Sequence, residues 1–213
     1  DSSKSDKSEA YTMSQQAKHL VAILKKEGVH QITILAHSMG GAIAVELLEL
    51  LAHHRVPLAK PILLLYLEGN LDAGDAFFSS MFAEMSFQDF EQEFESICGK
   101  ILGDSKEEHM IDYVSAFQKA GPFTIWACSK DLAPISAKGN LLNRLLAHCD
   151  FTCYFIFGER NRGVLSSEKL VRDAQLPLLF IPDAGHGLHT ENPTYFWDVV
   201  SEIIQKENIK YAK

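Results

Sequence analysis

One serine, Ser38, lies between small residues in the segment AHSMGG at positions 36–41. The apolar run 31–35 before it is typical of a β-strand, and the run 42–48 after it is typical of a helix. Small residues allow a tight strand-to-helix turn that holds its central side chain exposed in a strained conformation. The helix that follows points backbone N–H groups at any negative charge that develops beside the hydroxyl. Ser38 is therefore a candidate nucleophile.

A histidine between two glycines follows another apolar run near the carboxyl end of the chain. His186 comes shortly after residues 177–182, which are typical of a buried strand. Flanking glycines give the backbone the freedom to place the ring over a neighbouring loop. His186 is therefore a candidate functional residue. His189, three residues further on, competes for the same role, although it lacks the flanking glycines.

This combination of a serine turn and a late histidine resembles the α/β-hydrolase superfamily, whose triad runs serine, acid, histidine along the chain. The resemblance covers nearly the whole sequence. It implies that Ser38 is the nucleophile, that His186 is the general base, and that the backbone N–H of Met39 donates to the oxyanion. It also implies chemistry that requires no metal and no organic cofactor.

The position at which most of the superfamily carries its acid holds an amide here. Asn161 follows the strand 152–157, and an amide cannot stabilise the imidazolium that forms in the transition state. Glu68 directly follows the strand 62–67, where branches such as the haloalkane dehalogenases place their acid. A carboxylate there needs a partner, because burying an unpaired charge is costly. Glu68 is therefore the predicted acid, and a structural ion pair or a loop cap is the alternative interpretation. The alternative acids are Glu159 and then Asp72.

Composition excludes several other classes of protein. The chain has 213 residues, enough for one domain with a real core, and its net charge of −8 argues against nucleic acid or an anionic membrane surface as a partner. No apolar run approaches the roughly 20 residues that a membrane span requires. The four cysteines lack metal-ligand spacing and are interpreted as reduced thiols, which favours a cytoplasmic location.

Alternating strands and helices predict an α/β fold, with a parallel sheet covered on both faces. The predicted helices are 13–27, 40–52, 166–173 and 194–207, and the predicted strands are 32–36, 61–67, 152–157 and 178–182. Residues 72–148 form a mostly helical insertion that is expected to cap the site and to include a helix over 104–119. Its phenylalanines and methionines are expected mainly to form the core of the cap. The predicted division is core 1–71, cap 72–148 and core 149–213.

The resemblance also implies that the first four strands of the fold have no counterpart in this sequence. The loop that donates the second oxyanion N–H would be missing with them. The strand before Ser38 is then expected at an edge of the sheet with unpaired backbone groups. We expect a fragment of a longer hydrolase, and the alternative is a natural truncation that a partner stabilises.

The leading functional hypothesis is a serine hydrolase that cleaves a carboxylic ester or a related acyl bond. The apolar cap favours a small-molecule substrate with a small or medium apolar acyl or alcohol group. A serine at the turn argues against dehalogenase and epoxide hydrolase activity, which use aspartate in this superfamily. A non-catalytic ligand-binding or scaffold protein of the same fold is the alternative, since fold does not imply function. Hydrolysis of a carbon–carbon bond by the same triad is a third hypothesis.

Overall fold

The computed structural model describes residues 8–53 and 58–211, which form a four-stranded parallel sheet flanked by helices. The strands lie in the order β1 (Gln31–His37), β2 (Lys60–Leu67), β3 (Thr152–Gly158) and β4 (Leu178–Ile181). The predicted α/β fold is therefore confirmed.

Ten α-helices are described in these two stretches of the chain. They are α1 (Met13–Glu27), α2 (Gly40–Ala52), α3 (Phe77–Glu84), α4 (Phe87–Leu102), α5 (Glu108–Ala120), α6 (Pro122–Ala137), α7 (Leu141–Leu146), α8 (Ser166–Asp173), α9 (Leu188–Glu191) and α10 (Pro193–Tyr211). The helix predicted from residue 104 begins at Glu108 instead, because residues 105–107 are not helical and the Ser105 hydroxyl accepts the Glu107 N–H.

Strand β2 lies inside the sheet, and its side chains alternate between two apolar layers, as the pleat of a strand requires. On one face, Leu64 and Tyr66 pack with residues of α2, α6 and α7. On the other face, Leu63 and Leu65 pack against α10 through Phe196. Burial on both faces explains the continuous apolar sequence of this strand.

The insertion between β2 and β3 contains a small apolar core of its own. Phe82, Phe90 and Phe94 are buried there, and Val114 of α5 packs on them. The later helices behave differently, since α6 and α7 contribute to the core beneath the sheet. The predicted cap thus has an outer part, α3–α5, and an inner part, α6–α7, while the three-part domain division stays a prediction.

Strand β1 lies at one edge of the sheet that the described residues form, as expected. Its Leu35 side chain is substantially exposed, in contrast to the leucines of β2. No helix in the described ranges combines the length and the apolar character needed to cross a bilayer.

The buried Tyr66 ring lies against two glycines, one at the start of α2 and one just after β2. A Cβ atom at Gly41 would lie 2.4 Å from the Tyr66 Oη, and one at Gly69 would lie 2.4 Å from the edge of the ring. The ring cannot move aside easily, because its hydroxyl donates to the Asn70 carbonyl at 2.7 Å. This packing sets how closely α2 approaches the sheet.

We therefore expect Gly41→Ala to lower the free energy of unfolding by about 1–3 kcal/mol, because the added methyl group overpacks a rigid site. Gly40→Ala is the matched control, since a Cβ there meets no atom within 4 Å. Urea denaturation of both variants checks the prediction, and equal midpoints would contradict it.

Candidate active site

Ser38 occupies the strained turn that the sequence predicts. It follows β1 directly and has a φ of 54°, a region that residues other than glycine rarely adopt. Its N–H donates to the Leu67 carbonyl at 3.0 Å, and its own carbonyl accepts the Gly41 N–H at 2.9 Å. The turn is therefore bonded to the end of β2 on one side and to the start of α2 on the other, which stabilises the strained conformation.

Met39 lies at the amino end of α2. Its carbonyl accepts the N–H of Ala42 at 3.1 Å and that of Ile43 at 3.4 Å, so the helix begins directly after the serine. The N–H groups in the first turn of a helix have no partner within the helix and carry its positive end. This places the predicted oxyanion donor where such partial positive charge is concentrated.

Glu68 directly follows β2, and it too has a positive φ, of 40°. Its N–H donates to the Ile156 carbonyl at 3.1 Å, so the ladder between β2 and β3 continues through this residue. Its side chain has no exposed surface. An ionised carboxylate so buried requires hydrogen-bond donors around it.

Three neighbours supply these donors. The Gly158 N–H donates to Glu68 Oε1 at 2.7 Å, and Asn161 Nδ2 lies 3.1 Å from Oε1 and 2.9 Å from Oε2. His186 Nδ1 lies 2.9 Å from Oε2. Since an ionised carboxylate can only accept, the proton of a neutral His186 is assigned to Nδ1, which leaves Nε2 free to act as a base. The tautomer assigned in this way to the half-exposed ring is the one that a general base needs.

The other two candidate acids make different contacts. Glu159 pairs with Arg162 at 2.8 Å, and both side chains are about half exposed. Asp72 caps the short 3₁₀ helix Ala73–Asp75 and accepts the Ser166 hydroxyl at 2.6 Å. Of the three carboxylates weighed from the sequence, Glu68 is therefore the one in contact with His186.

A second histidine, His37, packs against the His186 loop from the end of β1. Its Nε2 donates to the His186 carbonyl at 2.7 Å, which assigns the proton of the neutral ring to Nε2. The ring centroids of His37 and His186 lie 4.7 Å apart, and those of His37 and His189 lie 5.2 Å apart. The His189 ring thus packs edge-on against the His37 ring, on which the His186 ring also packs.

The sequence did not indicate two of these roles. The sequence indicates Asn161 only as an amide at the usual position of the acid, whereas in the structure its Nδ2 donates to the Glu68 carboxylate. The sequence places His37 only within the serine turn, whereas in the structure its ring donates to the His186 carbonyl. The signal for Asn161 is the combination of an amide at this position with a carboxylate at Glu68. No local pattern indicated His37.

Among the described residues, no group of three or more His, Cys, Asp or Glu side chains is arranged to hold a metal ion. The described cysteines Cys98, Cys128, Cys149 and Cys153 are free thiols.

Comparison with known protein families agrees with this architecture. A model of the alpha/beta hydrolase family matches residues 5–199. The chain belongs to the alpha/beta hydrolase family. Comparison of the sequence with curated proteins gives no significant match.

Solved structures of similar fold include several hydrolases at low sequence identity. An esterase from Exiguobacterium antarcticum is 14% identical with a TM-score of 0.69, over 93% of this chain and 76% of that one. A carboxylesterase structure from Nitrososphaera gargenis is 18% identical with a TM-score of 0.68, over 96% and 75%. MenH from S. aureus is 18% identical with a TM-score of 0.68, over 98% and 80%. These likenesses show the α/β-hydrolase fold.

The contacts of His37 predict a dependence of stability on pH. Burial, followed by the charges of His186 and His189, lowers its pKa from 6.5 to about 4, although its bond to the His186 carbonyl acts in the opposite direction. The unfolded chain therefore binds a proton more readily than the folded protein as the pH falls below 6.5. Stability from this group is fully present above pH 6.5 and is lost as the pH falls towards 4.

We expect the loss over this interval to be roughly 1–3 kcal/mol, discounted for the partial exposure of the ring. His37→Gln should flatten the pH dependence of the free energy of unfolding between pH 6.5 and 4. Urea denaturation at several pH values measures it, with His19→Gln as the control for loss of an exposed histidine from α1. The same slope in His37→Gln and the parent protein would contradict the prediction.

Proposed function

We propose that this chain is a serine hydrolase that cleaves a carboxylic ester or a related acyl bond through Ser38, Glu68 and His186. The observation that carries the proposal is the hydrogen bond between His186 Nδ1 and the buried Glu68. This hydrogen bond leaves Nε2 available as a base. His186 and Ser38 both follow the carboxyl ends of parallel strands, and Ser38 occupies a strained turn there. A carboxylate, an oriented imidazole and an exposed hydroxyl are the parts that acyl transfer through a covalent intermediate requires.

In the proposed reaction, Ser38 Oγ attacks the ester carbonyl while His186 Nε2 takes the hydroxyl proton. The same imidazolium then gives this proton to the departing alcohol, and a covalent acyl-enzyme remains. Water, activated by His186, attacks the acyl carbon and releases the carboxylic acid and the free serine. No atom of a metal or of an organic cofactor enters this sequence of steps.

Glu68 stabilises the imidazolium at each of these stages. Its charge is held in place by Gly158 and Asn161, so little reorganisation is needed when positive charge appears on the ring. The N–H of Met39, at the positive end of α2, would donate to the carbonyl oxygen as negative charge develops there.

The substrate proposed is a small molecule with an apolar acyl or alcohol group. Helix α3 follows the end of β2 and leaves Phe77, Phe78 and Met81 exposed, while Phe82 is buried within the insertion. An exposed cluster of aromatic and methionine side chains favours binding of an apolar group. The names of the structural neighbours agree with this class, since they include esterases and N-acyl homoserine lactonases.

Ser38→Ala should abolish hydrolysis of a short-chain p-nitrophenyl ester without unfolding the protein, because the turn accepts a smaller side chain. His186→Ala should cause a similar loss, whereas His189→Ala should keep most of the activity. Steady-state rates and labelling by a fluorophosphonate probe provide the measurements. A parent protein that neither turns over the ester nor reacts with the probe would instead favour a non-catalytic binding protein.

The role of Glu68 is tested by exchanging the charge between two side chains in contact. Glu68→Gln should lower kcat by orders of magnitude, with ~10⁴ as the reference for loss of a triad carboxylate. Asn161→Asp alone should also lower both activity and stability, because it places two carboxylates about 3 Å apart. The double variant should recover part of the activity that Glu68→Gln loses, since one carboxylate and one amide are again paired.

Glu159→Gln is the control, because it removes a carboxylate from the 3₁₀ turn that also contains Asn161, and Glu159 pairs with Arg162 rather than with His186. We expect this variant to lower kcat less than tenfold. A mild Glu68→Gln together with a crippling Glu159→Gln would assign the acid to the loop after β3.

A further inference from the structure

The loop that carries His186 is closed by a carboxylate that the triad does not use. Glu191 Oε2 accepts the N–H of Gly185 at 2.8 Å, and Oε1 accepts the N–H of Gly187 at 2.8 Å. One side chain therefore binds the backbone on both sides of His186. The Glu191 N–H in turn donates to the Gly187 carbonyl at 2.8 Å, which completes a short ring of hydrogen bonds.

An arginine ties this ring to the neighbouring loop. Arg160 Nη2 lies 2.7 Å from Glu191 Oε2, and Arg160 Nε donates to the Asp183 carbonyl at 3.1 Å. The backbone N–H of Arg160 donates to the Ala184 carbonyl at 2.9 Å. Arg160 directly precedes Asn161, whose amide donates to the triad carboxylate. One short 3₁₀ turn thus contacts both the acid and the loop that carries the base.

The charge on Glu191 is maintained within this arrangement. Burial raises the pKa of the carboxyl, but the N–H groups of Gly185 and Gly187 and the Arg160 guanidinium outweigh burial and leave the pKa below its ordinary value. The side chain is only 9% exposed, so water contributes little to its hydrogen bonding. An ionised carboxylate accepts both backbone bonds, whereas a neutral amide would turn its NH₂ group toward one of the two N–H groups.

We infer that Glu191 and Arg160 form a positioning pair that holds the His186 loop, so that the imidazole keeps its hydrogen bond to Glu68. This inference rests on the proposed function. A loop with glycines on both sides of its functional residue has many conformations open to it, and selecting one of them costs conformational entropy. Because a misplacement of about 1 Å can cost around 100-fold in rate, an ordered loop contributes directly to kcat.

Close packing limits where the loop can rest. A Cβ atom at Gly158 would come within 2.4 Å of the Ala184 carbonyl oxygen, and one at Gly187 would lie 3.0 Å from Glu191 Oε1. The loop therefore packs closely against Gly158 at the end of β3 and against the Glu191 carboxylate. Loss of Glu191 would remove the hydrogen bonds that keep it there.

Glu191→Gln should lower kcat for a p-nitrophenyl ester by roughly 10- to 100-fold while KM changes less than about twofold. Hydrogen exchange at the Gly185 and Gly187 amides, followed by NMR on the full chain, should become faster. Arg160→Gln keeps both carboxylate–glycine bonds and alters an exposed side chain, so it should fold and show a smaller fall in kcat.

Glu49→Gln is the matched control. Glu49 is also a carboxylate paired with an arginine, Arg144, but it lies towards the far end of α2 from the serine turn. A purely structural role for Glu191 predicts that both glutamine variants lose thermal stability and keep kcat at temperatures where they are folded. A positioning role predicts that, of Glu191→Gln and Glu49→Gln, only Glu191→Gln loses kcat.

Unchanged kcat and unchanged glycine exchange in Glu191→Gln, with an active parent protein, would overturn the inference and leave the proposed function standing. A parent protein with no esterase activity and no probe labelling would overturn the proposed function, and the positioning role in catalysis with it. Hydrogen exchange at Gly185 and Gly187 requires no catalytic activity, so it tests the loop separately. Faster exchange in Glu191→Gln would support the restraint of the loop by Glu191 even if the proposed function failed, and unchanged exchange would contradict that restraint.

Discussion

The site is organised around one carboxylate that is hidden from water where three strands end. Glu68 has no exposed side-chain surface, and its charge is stable there only because donors from other loops surround it. Gly158 supplies a donor from the last residue of β3, Asn161 supplies one from the turn after β3, and His186 supplies one from the loop after β4. These segments must therefore keep their relative positions, because together they supply the hydrogen bonds that stabilise the buried Glu68 carboxylate.

Backbone strain accompanies this arrangement at the ends of two adjacent strands. Ser38 and Glu68 each directly follow a strand and each have a positive φ, although neither is a glycine. Both N–H groups nevertheless continue the sheet ladder, to Leu67 and to Ile156 respectively. The sheet thus supplies the bonds that keep both residues in an unfavourable conformation, which directs their side chains away from the usual alternation of a strand.

The helical insertion between β2 and β3 contributes to two separate apolar cores. Its inner helices add apolar side chains such as Leu132 and Leu141 to the core under the sheet. Its outer helices pack on one another around Phe90 and leave Phe77 exposed. Because the outer core shares few side chains with the sheet, its exposed face can differ in sequence without disturbing the strands that hold the site.

Local sequence determined much of this protein. Small residues around Ser38, strand-like runs and helical periodicity are local properties, and they indicated the turn, the order of the elements and most of their bounds. The resemblance to superfamily branches that place their acid after this strand, the amide at Asn161 and the cost of burying a charge together indicated Glu68. Only the tertiary structure showed that Glu68 bonds to His186, that the Asn161 amide donates to Glu68, and that His37 packs against the His186 loop. These contacts join residues far apart in the chain, and they depend on strand order and register, which no local pattern specifies.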